Sequence, residues 1–90
     1  MLTKSLATEW AGHNVRVNTI APGYMNTELT EMFIKNEQNK STVDKWMQFT
    51  SIGRVGEPEE LGGIAVYLAS DASSYVTGSV FTIDGGYTAW

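Results

Sequence analysis

Cysteine is absent from the 90 residues, so neither a disulfide nor a thiolate metal site can staple the fold. That absence is compatible with a reducing compartment, and a cytoplasmic location is expected. Histidine occurs once, as His13, and the carboxylates are scattered, so no metal-ligand spacing exists and no metal is expected. Basic residues number 6 against 10 acidic ones, for a formal net charge of -4. With no Lys/Arg cluster either, nothing resembles a nucleic-acid footprint. No apolar run is long enough to span a bilayer, so no membrane partner is expected. The start has no basic-then-apolar leader and no Arg-rich amphipathic pattern, so no targeting segment is expected. Proline is scarce, and both copies, Pro22 and Pro58, fall where an element should begin or end.

What is present is globular: 42% hydrophobic residues, with three Trp, four Tyr and three Phe. Ninety residues form at most one small domain. Such a chain buries only about 60–65% of its unfolded surface, so it is expected to be marginally stable without a partner.

One stretch organises the rest: Val15-Arg16-Val17-Asn18-Thr19-Ile20-Ala21-Pro22-Gly23-Tyr24-Met25-Asn26-Thr27. Val15 and Val17 alternate with Arg16 and Asn18, the period of a strand. Pro22 stops ladder bonding, and Gly23 permits backbone angles that a side chain would forbid. The chain therefore turns sharply at a strand's carboxyl end, which is where ligands sit in open α/β sheets.

Before it, Leu2 to Ala11 reads as a helix whose stripe is Leu2, Leu6 and Trp10, with Gly12 as its C-terminal cap. No Ser, Thr, Asp or Asn caps its start, and the helix is expected to begin upstream of Met1. After the turn, a helix is predicted over Thr27 to Glu37, capped by Asn26 or Thr27. A polar loop follows over Asn36 to Ser41, then a short helix over Thr42 to Phe49. Met32, Phe33, Trp46, Met47 and Phe49 either fill a core or line a mobile flap that closes over a small molecule. Gly53-Arg54-Val55-Gly56 is a loop. Glu57-Pro58-Glu59-Glu60 opens a clear helix, with Pro58 at its first position and carboxylates at the positive end of its dipole. Leu61, Ile64, Ala65, Leu68 and Ala69 complete its stripe, and close packing is expected to compensate for Gly62 and Gly63. Ser79 to Ile83 is a second strand, followed by the turn Asp84-Gly85-Gly86 and an aromatic tail.

The order is helix, strand, helical region, helix, strand. Two strands joined by a long helical crossover predict an α/β fold with a parallel, right-handed βαβ unit. Parallel sheets are covered on both faces, and two strands cannot cover each other, so further strands are expected to belong to the same sheet.

Five features in this order resemble the C-terminal part of a short-chain dehydrogenase/reductase. They are Leu2-Thr3-Lys4-Ser5-Leu6-Ala7-Thr8-Glu9-Trp10, the opening stretch with its Pro-Gly-x-x-x-Thr turn, and Gly53-Arg54-Val55-Gly56-Glu57-Pro58-Glu59-Glu60-Leu61. Tyr67-Leu68-Ala69-Ser70-Asp71-Ala72-Ser73-Ser74-Tyr75-Val76-Thr77-Gly78 and Asp84-Gly85-Gly86 complete the set. Together they cover nearly the whole chain. The ending Gly86-Tyr87-Thr88-Ala89-Trp90 is similar to the fungal polyol and ketose reductase branch.

The resemblance implies a doubly wound Rossmann-type parallel sheet, of which residues 1–90 are roughly the last third, with a substrate flap at about 28–52. It implies NAD or NADP as cofactor and a small carbonyl or alcohol substrate. Pro22 and Gly23 would shape the floor beside the nicotinamide, the backbone at Met25 would meet its carboxamide, and the Thr27 hydroxyl would reach the carboxamide or the adjacent phosphate. The plainer reading is a strand-ending turn with Thr27 as a helix cap; for the motif as a whole the cofactor reading is favoured, and for Thr27 taken alone the cap. Arg16 and Asn18 are expected to brace neighbouring loops, Asp84 to shape a turn, and His13 to sit in solvent.

The resemblance also shows what these residues lack. The glycine-rich dinucleotide loop, the catalytic Ser and the Tyr-x-x-x-Lys pair are absent, and no Tyr here has a Lys four residues later. No catalytic residue is therefore assigned. Without an acid to protonate the forming alkoxide, a fragment inactive alone is expected. Two alternatives are a non-catalytic interaction module, pairing with itself or with a full-length relative, and a truncated product without a function of its own.

Overall fold

The apolar stripe of the first segment folds as α1, Leu2–Trp10, in the computed structural model, which describes all 90 residues. The chain divides into two units, Met1–Ala21 with Gly62–Thr82, and Pro22–Leu61 with Ile83–Trp90.

In the first unit, Ala7 of α1 is the one buried hydrophobic residue, while Leu2 is 71% exposed. No side chain caps the start of α1. A 3₁₀ turn, Ala11–His13, extends its end, and Asn14 closes the turn at φ 60° by donating its N–H to the Ala11 carbonyl. Gly12 therefore lies inside the turn and is not the cap. Asn can take the left-handed position because its short polar side chain tolerates it. His13 is exposed.

The strand predicted from Val15 lies further on, as β1, Thr19–Pro22. The alternation over Val15–Asn18 is real, but apart from the Gly78 N–H, which donates to the Val17 carbonyl at 2.8 Å, side chains do the pairing there. Asn18 Nδ2 donates to the Val76 carbonyl at 3.0 Å, its Oδ1 accepts the Ser79 N–H at 3.1 Å, and the Val17 N–H bonds the Thr77 hydroxyl at 3.1 Å. The second strand, β2, is Val80–Ile83. It pairs with β1 through Thr19 N–H to Ser79 O at 2.9 Å and Gly23 N–H to Ile83 O at 3.0 Å, the constant register of a parallel pair.

Pro58 and its carboxylates open a 3₁₀ turn, Pro58–Leu61, and the α-helix follows it as α4, Gly62–Ala69. Ile64 and Leu68 are half-buried, whereas Val66 is 70% exposed. A Cβ on Gly62 or Gly63 would meet nothing within 4 Å, so the close packing expected at these glycines is absent. Arg16 ties the end of α4 together. Its guanidinium donates to the carbonyls of Leu68 (3.1 Å), Ser70 (3.3 Å), Ser73 (2.8 Å) and Val76 (3.4 Å), and to the fully buried Ser73 hydroxyl at 2.8 Å. The bracing role expected of Arg16 and Asn18 is what the structure shows.

In the second unit, α2 (Glu28–Lys35) and α3 (Lys40–Phe49) are joined by the 3₁₀ turn Glu37–Asn39. The predicted polar loop is thus mostly helical. Asn36 Oδ1 caps the turn at the Gln38 N–H, and Asn39 Nδ2 reaches back to the Phe33 carbonyl at 3.0 Å. After β2, Asp84 organises the last turn. Its carboxylate accepts the N–H groups of Gly86 and Thr88 at 3.0 Å each and the Thr88 hydroxyl at 2.6 Å. Gly85 and Gly86 supply the positive φ angles this turn requires. No helix is long and apolar enough to cross a membrane.

Candidate functional site

The segment after β1 is pinned by backbone on two sides. Gly23 donates to Ile83 at the strand end. A Cβ at Gly23 would lie 2.7 Å from Asp84 Cβ and 2.8 Å from its Cα. Gly23 has no positive φ, so room beside Asp84, not an unusual backbone angle, is why glycine is needed. Next, Met25 bridges in parallel to Gly56. The Tyr24 carbonyl accepts the Gly56 N–H at 2.8 Å, and the Asn26 N–H bonds the Gly56 carbonyl at 2.6 Å. Asn26 Nδ2 also reaches the Glu57 carboxylate at 3.2 and 3.3 Å.

These bonds use the flanking groups and leave the Met25 N–H without an acceptor in the chain, while its carbonyl takes the Thr27 N–H at 2.9 Å. Thr27 caps α2. Its hydroxyl accepts the Thr30 N–H at 3.2 Å and donates to the Thr30 hydroxyl at 3.0 Å. The plainer reading of Thr27 is thus fulfilled in this state. Its side chain remains exposed, as does Pro22.

A cavity of about 100 Å³ lies beside the turn, and Tyr24, Met25, Thr50, Arg54 and Asp84 are among the residues lining it. Ligand pockets run to roughly 300–1,000 Å³, so this one is too small to be a complete site. Of the predicted residues only Met25 borders it; Pro22, Gly23 and Thr27 do not. Arg54 and Asp84 were not foreseen there. Arg54 forms a bidentate pair with Glu60, at 2.7 and 3.1 Å. That hydrogen bond, and then the Glu57 N–H, hold the Glu60 carboxyl down at about 2. The six-residue spacing from Arg54 to Glu60 was the available signal. Partial burial, reinforced by the Tyr87 hydroxyl, pushes the Tyr24 phenol up from its ordinary value.

The aromatic rings of α2 and α3 pack on the turn after β1. The Trp46 ring lies 4.0 Å from Tyr24 and 5.0 Å from Phe33, with both pairs inclined by only 12°. Tyr87 meets Tyr24 edge-on at 5.4 Å.

The turn lies at the carboxyl end of a parallel strand, the edge at which ligands bind in open α/β sheets. The family model described as enoyl-(acyl carrier protein) reductase matches residues 1–88. The galactitol 2-dehydrogenase (L-tagatose-forming) of Cereibacter sphaeroides is 49% identical over 89 residues, covering 99% of this chain and 34% of that enzyme. The sorbose reductase of Candida albicans is 51% identical over 87 residues, covering 97% and 29%. An Agrobacterium tumefaciens protein, provisionally identified as a 2-deoxy-D-gluconate 3-dehydrogenase and crystallised with bound NADP, superposes with a TM-score of 0.87 at 39% identity, over 99% of this chain and 35% of its own. The chain belongs to the short-chain dehydrogenase/reductase family, and its fold is part of a Rossmann-type α/β domain. It spans about a third of the length of the relatives it matches.

Proposed function

We propose that this chain forms the nicotinamide-side wall of an NAD(P)-dependent oxidoreductase acting on a small carbonyl or alcohol, and that it is inactive alone. The observation that carries this reading is the Met25 N–H, held outward by the Gly56 bonds on either side of it and free to donate to a carboxamide oxygen. The Thr27 hydroxyl proton, now given to Thr30, would turn to the carboxamide or a phosphate oxygen, at the end of α2 where anions are favoured. Pro22 and Gly23 shape the floor, with Gly23 letting the turn settle against Asp84. When bound, NAD or NADP supplies or accepts the hydride. Polyol and ketose names among the relatives support a sugar alcohol or its ketone as substrate, with residues 28–52 as the covering flap. A cytoplasmic location, suggested by the cysteine-free composition, belongs to the same reading.

The test is calorimetric titration with NADPH. The chain alone takes up none. Joined behind about the first two thirds of the Cereibacter enzyme, it binds, and Thr27→Asn, which keeps a helix cap but loses the hydroxyl, weakens binding about tenfold. Saturable micromolar binding by the chain alone refutes its inactivity. Unchanged binding in the Thr27→Asn protein refutes the role of Thr27.

A second reading, association with another copy or a full-length relative, has its own support. α4 is apolar on all sides yet exposes Val66, and α1 exposes Leu2. Helices apolar all round are normally covered.

A further inference from the structure

We propose that Phe33, Trp46, Tyr24 and Tyr87 form an aromatic clasp that fixes the α2–α3 flap on the turn running from Pro22 to Thr27. The four rings come from four segments: α2, α3, the turn and the tail. Trp46 is the middle of the stack. Phe33 covers one face and Tyr24 the other, each nearly parallel to it. The Phe33–Trp46 and Tyr24–Tyr87 separations fall in the range of attractive aromatic pairs, about 4.5–7 Å, and Tyr24 lies closer still on Trp46. With both faces occupied, Trp46 is no platform for a sugar ring; it is the piece that the flap inserts.

The tail secures the same helix at its far end. Trp90 Nε1 donates to the Phe49 carbonyl at 2.6 Å, its ring meets Phe49 edge-on at 6.2 Å, and the Ile52 N–H bonds the Gly85 carbonyl at 3.0 Å. The flap can therefore lift only when Trp46 leaves the stack. Tyr24 then loses its stacked neighbour, and the turn keeps its Gly56 and Ile83 backbone bonds, the Asn26–Glu57 bonds and the Tyr87 edge. Flap position and turn geometry are linked through one indole. That the link bears on cofactor binding rests on the reading of Met25 and Thr27 given above.

Amide hydrogen exchange on the 90-residue chain tests the clasp without any cofactor, so its failure is distinct from failure of the cofactor reading. Trp46→Leu speeds exchange across Glu28–Phe49 by about tenfold or more, from the loss of two ring pairs, and leaves Leu68–Ser73 unchanged. Trp46→Phe, which keeps a ring, stays within about threefold of the parent chain. Unchanged exchange over Glu28–Phe49 in Trp46→Leu overturns the proposal. So does equal acceleration in both regions, which is general destabilisation. The same holds if Trp46→Phe matches Trp46→Leu, or if the parent chain exchanges over Glu28–Phe49 as an unfolded peptide.

Discussion

Replacing Arg16 with Ala removes the fastening of the α4 end from a single side chain. Three of its contacts, to the Ser73 carbonyl, the Ser73 hydroxyl and the Leu68 carbonyl, are at 3.1 Å or less; the other two are longer. Hydrogen bonds from a charged donor are worth about 1.5–3 kcal/mol each when a partner is left unsatisfied. Here the acceptors keep other donors. The Ser73 hydroxyl still serves Leu68 at 3.1 Å and Ser70 at 3.0 Å, and the Val76 N–H still serves Ser73 at 2.9 Å. The loss per bond therefore falls toward the ordinary net value of about 1 kcal/mol, giving about 2–4 kcal/mol in all. Small domains have only about 5–15 kcal/mol to lose. Urea unfolding followed by circular dichroism should show this fall, with exchange at Ser70–Val76 accelerating first. Arg16→Lys should recover less than half of it, because one ammonium cannot span Leu68 and Ser73 as the planar fork does. A change below about 0.5 kcal/mol in Arg16→Ala, or full recovery by Lys, would refute the reasoning.

Gly23→Ala forces a methyl against Asp84 Cα and Cβ, and a loss of about 1–3 kcal/mol in urea unfolding is expected; a neutral result would mean that the turn shifts freely. Glu60 has a folded pKa of about 2, below the usual 4.5, so its contribution to stability is present above pH 4.5 and fades as pH falls from there through 2. The stability of Glu60→Gln should therefore vary less steeply with pH over that window than that of the parent, and parallel curves would show that the Arg54 pair adds nothing.

Much of the site's setting was legible in local patterns. Thr27 stands where a helix cap belongs and caps α2, and the Pro-Gly pair ends β1. Arg16 and Asn18 alternate with valines as strand residues do, so the pattern points to a strand earlier than β1, although their side chains serve residues 52 to 61 positions away. Short-range periodicity carries no trace of that. The 3₁₀ turn Glu37–Asn39 is not legible in the polar pattern because a single Asx cap, at Asn36, converts a polar loop into helix. The ring order around Trp46 depends on which segments meet, and aromatic spacing along one helix does not reveal a partner on another.

The two units interleave along the chain: each opens before the other is finished and is completed by a later segment. As synthesis proceeds, the carbonyls that Arg16 binds emerge more than fifty residues after it, and the ring of Tyr87 follows that of Tyr24 at a similar distance. Neither unit can complete its own contacts until its later segment has been made, and the entropy of closing both loops is deferred until then. A ribosome stalled before Gly62 would therefore present a chain with Arg16 unanchored, a state suited to capture by chaperones.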